Sequence, residues 1–317
     1  MWIEIGLLIL GLVLLVVGGD FLVRGASNLA YSIQISPLVV GLTVVAFGTS
    51  APELLVSLQA ALDGHPDISM GNIVGSNICN LTLVLGATAT FYPILVHENS
   101  KKIDWPMAMG SSALLYFFVS YDHVVQRFEG IIFVLILAIY TYFLIEMSRR
   151  ETLERMVEEE EEIPEIVGSA VLKEVGFLIL GGVMLYFGSE WFVGGAKNIA
   201  QGLGVSDAII GLTVIAIGTS LPELVTSIIA AYQKNTDLAV GNLLGSNIFN
   251  ILSILGWTSI VKDISVNPQL IDVDMWIMMG ITVMVLIMMV VGKKIGRLSG
   301  VILLVTYAAY MTYLVMK

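Results

Sequence analysis

Two glutamates stand in surroundings where an unpaired charge is expensive. Glu53 lies in the run GLTVVAFGTSAPELLVS that begins at Gly41, and Glu223 in GLTVIAIGTSLPELVTS, which begins at Gly211. Both runs are apolar apart from small hydroxyl residues. A carboxylate carried into the middle of a hydrocarbon layer costs at least ~2.5–3.5 kcal/mol, so it needs a cation, a proton or a basic partner. An ion pair with Lys or Arg would be the ordinary explanation, but neither run contains a basic residue.

Helical spacing sharpens the chemistry. Steps of three and four residues put Ala46, Thr49, Ser50, Glu53 and Ser57 on one face, and Ala216, Thr219, Ser220, Glu223 and Ser227 on the matching face of the second run. Pro52 and Pro222 lack an N–H and clash with the carbonyls of Gly48 and Gly218, so each run should kink just before its glutamate. Carbonyls around Ala46–Thr49 and Ala216–Thr219 are thereby freed, which a membrane tolerates only where they line a cavity or find ligands. A third run in each half adds polar residues at intervals of four: Asn72, Ser76 and Asn80, then Asn242, Ser246 and Asn250. Hydrogen bonding between helices would account for such stripes alone; their recurrence beside both glutamates favours a lining role. Gly71 and Gly75, like Gly241 and Gly245, would let backbones approach closely.

The oxygen inventory selects an ion class. Two carboxylates with the Thr49 and Thr219 carbonyls approach the about 6–8 hard oxygen ligands that calcium prefers, while magnesium sheds water too reluctantly to suit such a cage. No His or Cys accompanies the motif, which disfavours zinc and copper. Two negative charges balance one divalent or two monovalent cations, an arrangement suited to exchanging calcium for sodium.

The elements that must hold these residues follow from composition. Hydrophobic residues make up 57% of the 317 and charged residues 13%, with a mean hydropathy of +0.90, far from the balance of a water-soluble domain. Spans of roughly 20 apolar residues, the length that crosses about 30 Å of hydrocarbon, fall near 3–23, 36–61, 69–92, 105–120 and 128–147, then near 174–195, 206–231, 238–261, 273–291 and 297–315. The expectation is an all-α integral membrane protein of ten transmembrane helices. The first span has Glu4 where a basic leader would be and is kept as a helix rather than a cleaved signal.

Shifted by 170 positions, the chain overlies itself: the two glutamate runs coincide, GNIVGSNICN from Gly71 lies over GNLLGSNIFN from Gly241, and no gap is needed from Gly18/Gly188 to Gly86/Gly256. Five spans per half is an odd number, so the second half must enter the membrane with opposite polarity. Two inverted five-helix repeats, 1–148 and 173–317, are expected, an architecture of secondary transporters with a site near the mid-plane. The 149–172 segment between them holds the acidic run Glu158 to Glu162, reads as a solvated linker, and carries much of the net charge of −11. Nucleic acid is excluded as a partner by that charge. No enzyme chemistry, cofactor or obligate protein partner is evident; the expected partners are lipid and the calcium and sodium ions.

Basic residues favour cytoplasmic loops. Arg24, Lys101, Lys102, Arg149, Arg150, Arg155, Lys173, Lys234, Lys293, Lys294 and Arg297 fall on one side of a ten-span layout; Arg127, Lys197, Lys262 and Lys317 fall on the other. Both termini should be extracytoplasmic and the linker cytoplasmic, in a multi-pass plasma-membrane protein. Of the remaining polar residues, Asp20 should pair with Arg24, Glu190 should reach the interface, and Asp67 and Asp237 should cap the helices they precede. Cys79 reads as an apolar filler. His65, His97 and His123 fall in loops without ligand spacing.

At GTSAPE, GTSLPE and the two GSNIxN segments the chain resembles the calcium/cation antiporter superfamily, and within it the prokaryotic sodium/calcium exchangers. The resemblance covers essentially the whole chain. It implies four adjacent cation sites built from Ala46, Thr49, Ser50, Glu53, Ser76 and Asn80 with Ala216, Thr219, Ser220, Glu223, Ser246 and Asn250, calcium using the glutamates and Thr carbonyls, and sodium the Ser hydroxyls and Ala carbonyls. It also implies that the first and sixth helices slide over the core to switch access. Asn250 departs from relatives that carry Asp there, which argues against a potassium requirement. A calcium/proton antiporter is the alternative, but the GNxxE motif of that branch is absent; an intramembrane protease would need paired aspartates, and a channel would not need inverted repeats.

Overall fold

The computed structural model describes residues 2–158, 168–203, 216–292 and 294–316, and the chain is overwhelmingly helical. The helices in order are α1 (Trp2–Ser32), α2 (Pro37–Thr49), α3 (Ala51–Leu62), α4 (Pro66–Phe91), α5 (Trp105–Asp122), α6 (Arg127–Glu158), α7 (Gly168–Gly202), α8 (Ala216–Gly218), α9 (Leu221–Tyr232), α10 (Thr236–Val261), α11 (Leu270–Val291) and α12 (Arg297–Met316). In a hydrocarbon layer every backbone group must be satisfied internally, and a helix does this within one segment. Among the described residues, seven helices are long and apolar enough to cross a membrane, or eight when α2 and α3, bent by 47°, count as one span. The expected span at 105–120 is present as α5 without meeting that apolarity. The expected span at 206–231 is described only from Ala216 onward, so its first part lies outside the described residues.

Two-residue antiparallel strand pairs tie the turns into two ends. Ile94–Leu95 (β1) pairs with Lys294–Ile295 (β4), and Val124–Val125 (β2) pairs with Ile264–Ser265 (β3). At the β1–β4 end lie also the α1–α2 turn, where Ser36 N donates to Ser148 Oγ at 2.7 Å, and the start of α10. The β2–β3 end gathers the α3–α4 turn, where Lys262 Nζ reaches Leu62 O at 3.5 Å.

Long α1 runs antiparallel along long α7 on a glycine seam. A Cβ on Gly18 would lie 2.9 Å from Gly181 O, and one on Gly188 2.8 Å from Leu15 N, so only glycine permits this approach. Helices α2, α3, α4, α9 and α10 form the centre, and the most apolar stretch of α10 is buried throughout. Gly86 of α4 packs on Gly300 of α12, and Gly130 of α6 on Gly256 of α10. Those four glycines obey the offset of 170, although the ungapped sequence match stops at Gly86/Gly256.

Three local expectations are corrected. Helix α6 runs on to Glu158 and α7 begins at Gly168, so the flanks of the 149–172 linker are helical and only 159–167, with most of the acidic run, lies outside the described residues. Asp237 does not cap α10: Asn235 does, accepting from Leu238 N at 3.3 Å, while Asp237 sits in the first turn and pairs with His97 at 2.7 Å. Asp67 likewise lies within the first turn of α4, whose cap position is His65. Asp20 pairs with Arg24 at 2.8 Å as expected, and Glu190 is exposed.

Candidate functional site

Each glutamate run breaks where its proline requires. Ser50 (φ −87°, ψ 9°) separates α2 from α3, and Ser220 (φ −87°, ψ 7°) precedes α9 in nearly the same conformation. Pro52 and Pro222 occupy the first turns of α3 and α9, and Glu53 and Glu223 follow them at the positive N-terminal ends of these half-helices. The break also exposes carbonyls. Gly218 O, deprived of its donor by Pro222, accepts Ser189 Oγ of α7 at 2.7 Å. The position 170 residues before Ser189 is Gly19, which has no side chain to donate.

Both carboxylates are buried, Glu53 at 1% exposure and Glu223 at 0%, and they are electrostatic neighbours. Glu223 Oε1 accepts Ser50 Oγ at 2.9 Å. Glu223 Oε2 and both oxygens of Glu53 have no hydrogen-bond partner among the described residues, and none of the ion pairs there involves either glutamate. Neutral polar atoms of other expected site residues are in the same condition: both amide atoms of Asn80, Oδ1 of Asn250, and the hydroxyls of Ser220 and Ser246, the last beside the Glu223 carboxyl. Buried polar groups are nearly always paired, so a concentration of unpaired oxygens around two carboxylates has the donor chemistry of a hard-cation site. No three His, Cys, Asp or Glu residues come together among the described residues, so neutral oxygens must complete any such shell.

The other expected residues are placed as follows. Ala46 and Thr49 are buried, and Thr49 Oγ1 lies 3.1 Å from Asn242 Oδ1 and 3.3 Å from Ala46 O. Ser76 is buried on α4, and Thr219 lies in the turn before Ser220. The backbone of Ala216 opens α8, and its side chain lies outside the described set. Asn80 and Asn250 each begin a wide, π-type turn, a helix irregularity common at functional sites. Asn72 Nδ2 reaches both Glu53 O (3.2 Å) and Ser57 Oγ (2.9 Å); Asn242 Nδ2 reaches Glu223 O (3.4 Å) and Ser227 Oγ (2.9 Å). These asparagines therefore position the half-helices that carry the glutamates. Cys79 is buried, as a filler should be.

A cavity of about 390 Å³ opens from the β2–β3 end towards this centre, with Asn72, Ser76 and Thr219 in its wall and Ile68, Asp274, Tyr310 and Leu314 also lining it. The residues 170 positions away from these lining groups are packed shut. Leu238, Asn242, Ser246, Thr49, Asp104, Tyr140 and Leu144 are all buried.

Sequence reasoning missed four contributors. Asn77 Oδ1 accepts Asn250 Nδ2 at 3.0 Å, Ser189 satisfies Gly218, and two acid–phenol pairs join neighbouring helices: Tyr140 Oη to Asp104 Oδ1 at 2.9 Å and Tyr310 Oη to Asp274 Oδ1 at 3.0 Å. Extending the offset of 170 past Gly86 would have flagged both pairs, since Asp104 maps onto Asp274 and Tyr140 onto Tyr310.

The chain is similar to known proteins over nearly its whole length. The profile of the family described as sodium/calcium exchanger protein matches residues 3–146 and 173–316. A putative antiporter, CaxA, from Alkalimonas amylolytica is 40% identical over 309 residues, covering 95% of each chain. The sodium/calcium exchanger MaX1 from Methanosarcina acetivorans is 34% identical over 343 residues, covering 97% of each. Among solved structures, the sodium-calcium exchanger NCX_Mj superposes with a TM-score of 0.84 at 31% identity, covering 98% of both chains.

Proposed function

This chain belongs to the sodium/calcium exchanger family, and from that premise we propose that it is a multi-pass antiporter exchanging sodium for calcium by alternating access to the oxygen cluster around Glu53 and Glu223. The observation that carries the reading is the pair of buried carboxylates with three of four oxygens unpartnered among the described residues. Holding such groups without a cation is costly. Calcium would take the two carboxylates with the Thr49 and Thr219 carbonyls. Sodium would take flanking positions at Ser50, Ser76, Asn80 and Ala46 and at Ser220, Ser246, Asn250 and Ala216. The two negative charges balance either load, so binding one discharges the other.

The proposed frame is ten spans in two inverted repeats, 1–148 and 173–317. Supporting it are the sorting of turns to two ends and the glycine, acid–phenol and strand pairs that recur at an offset of 170. The glycine seam holds α1 and α7 tightly against each other, so that the pair would slide across the centre as one unit, closing one end as the other opens. The excess of Lys and Arg at the β1–β4 end makes that end cytoplasmic and the β2–β3 end, with both termini, extracytoplasmic, in the plasma membrane.

The test is purified protein in liposomes with membrane potential and pH held equal across the bilayer and only a sodium gradient imposed. Calcium should move against the sodium flux. Calcium that stays still there, yet moves under a pH gradient without sodium, would replace sodium coupling by proton coupling.

A further inference from the structure

Among the described residues that line the cavity at the β2–β3 end, one is a carboxylate and the rest are neutral. Asp274 is half-buried there, beside Tyr310 and among Leu270, Met311 and Leu314. Its Oδ1 accepts the Tyr310 hydroxyl, which leaves most of the acceptor capacity of an ionised carboxylate unused. None of the ion pairs among the described residues involves it. A charge in a cleft with low-dielectric walls focuses its field into the opening and raises the local concentration of counter-ions. At the far end of this opening lie Ser76 and Thr219.

Its counterpart at the β1–β4 end is Asp104, 1% exposed, held by Tyr140, with Oδ2 unpartnered among the described residues. A carboxylate packed away half-satisfied is a poor helix staple, since an amide would bond the phenol without the charge. It is explicable as a group that serves when its own end opens.

We propose that Asp274 is a cation-recruiting residue of the entry vestibule at the β2–β3 end, and that Asp104 performs the same task at the β1–β4 end in the alternate conformation. The inference rests on the antiport reading and adds a cation site outside the central cluster. Each acid–phenol pair then has two states: facing a vestibule, where it gathers cations, and packed between helices, where the phenol alone shields it.

The experiment separates charge from stapling by using Asp274→Asn, which keeps an acceptor for Tyr310. In a Cys79→Ala background with Met311→Cys in the cavity wall, the ratio of modification rates by a cationic and an anionic methanethiosulfonate should fall at least about threefold on Asp274→Asn. The difference should shrink in high salt, and Asp274→Glu should restore the ratio. In sided liposome assays Asp274→Asn should raise the apparent KM for calcium severalfold at the β2–β3 end only, at unchanged maximal rate. Asp104→Asn should do so at the other end only. An unchanged reagent ratio, or equal KM changes at both ends, overturns the proposal. If the parent protein moves no calcium against sodium, the antiport reading fails by itself, and the reagent ratio still decides Asp274.

Discussion

The two ends of the molecule are built from nearly the same residues and packed in opposite ways. At the β2–β3 end a Cβ on Gly71 or Gly75 would meet nothing within 4 Å among the described residues; at the β1–β4 end Gly245 sits where a Cβ would lie 2.7 Å from Leu42 O, and Gly241 is jammed against Leu38 O. The central hydrogen bonds are equally one-sided. The Ser50 hydroxyl donates to Glu223, while the Ser220 hydroxyl has no partner among the described residues; the Asn250 side chain donates to that of Asn77, while the Asn80 side chain has no partner there. Since the residue types match across the repeat, the difference belongs to conformation rather than composition. A motif able to hold both packings would suit the two-state carrier proposed above, because neither packing would then lie far below the other in free energy.

The strongest way to break the comparison is to remove what both ends share. Glu53→Gln or Glu223→Gln alone should abolish calcium transport, because each deletes an anionic ligand at constant volume. The protein should remain folded, and without ions it should melt no lower than the parent, since a buried carboxylate costs ~2.5–3.5 kcal/mol or more that an amide does not. Flux and thermal melting of the purified variants check this, and a folded double variant that still carries calcium would remove the site from the centre of the molecule.

The glycines offer the next largest effect, and one of opposite sign at the two ends. Gly245→Ala drives a methyl into the Leu42 backbone, and overpacking of this kind costs about 1–3 kcal/mol. That should open the β1–β4 end by roughly 5-fold to 150-fold. Gly75→Ala meets nothing within 4 Å among the described residues and should instead hold the β2–β3 end open by penalising its closure. Impermeant labelling of single cysteines at Ile68 and at its counterpart Leu238 reads both shifts. Two alanines that shift accessibility in the same direction would show that the ends do not alternate.

Much of this centre was legible beforehand because its signals are local. A glutamate in an apolar run, a proline one residue before it and a repeated GSN segment are all visible in sequence, and the structure sets Ser50, Glu53, Glu223 and Ser246 beside one another. The count of spans was harder, since α5 is too polar to meet a hydropathy test alone and is held instead by its neighbours. Helix α1 extends to Ser32, nine residues past its expected end, because the glycine seam against α7 continues to Gly25, where a Cβ would meet Glu174 O at 3.1 Å. Asp237 looked like a cap because capping is local, whereas its His97 partner arrives from a distant turn. Which end is open could not be read at all, since Gly71 and Gly241 are identical letters in different packings.

A smaller effect separates the two cargo ions. Ser76→Ala removes one neutral oxygen from the open end and Ser246→Ala one from the closed end. Each loss is worth roughly 1 kcal/mol, about fivefold in an ion's affinity. The half-saturating sodium concentration should rise by about that factor, while calcium binding, dominated by the carboxylates, changes less. Titrations of exchange against each ion test this, and a larger effect on calcium than on sodium would reassign both serines to the calcium shell.

The smallest expected effect concerns a difference that the sequence does encode. At the β1–β4 end, where His97 and Asp237 also line a cavity of about 520 Å³, His97 Nε2 meets Asp237 Oδ1 at 2.7 Å, tying the turn after α4 to the start of α10. The corresponding residues at the open end are Asn267 and Asp67; Asn267 Oδ1 accepts Gln269 N at 3.0 Å instead, and Asp67 is exposed. Glu98, next to His97, does not compete for the imidazole, because hydrogen bonds from Lys101 and then Lys102 engage it and hold its carboxyl below the usual carboxylate range. With side chains 54% and 32% exposed, the His97–Asp237 pair is screened, and such pairs contribute about 0–1 kcal/mol. His97→Asn, which makes this end resemble the other, should therefore raise labelling of a cysteine at Leu238 by no more than about fivefold, with the gap between parent and variant closing in high salt. Asn267→His is the reciprocal change and should lower labelling at Ile68 by a similar factor. If His97→Asn instead made the β1–β4 end harder to open, the pair would be stabilising the open packing, and the asymmetry between the ends would have to come from the glycine contacts alone.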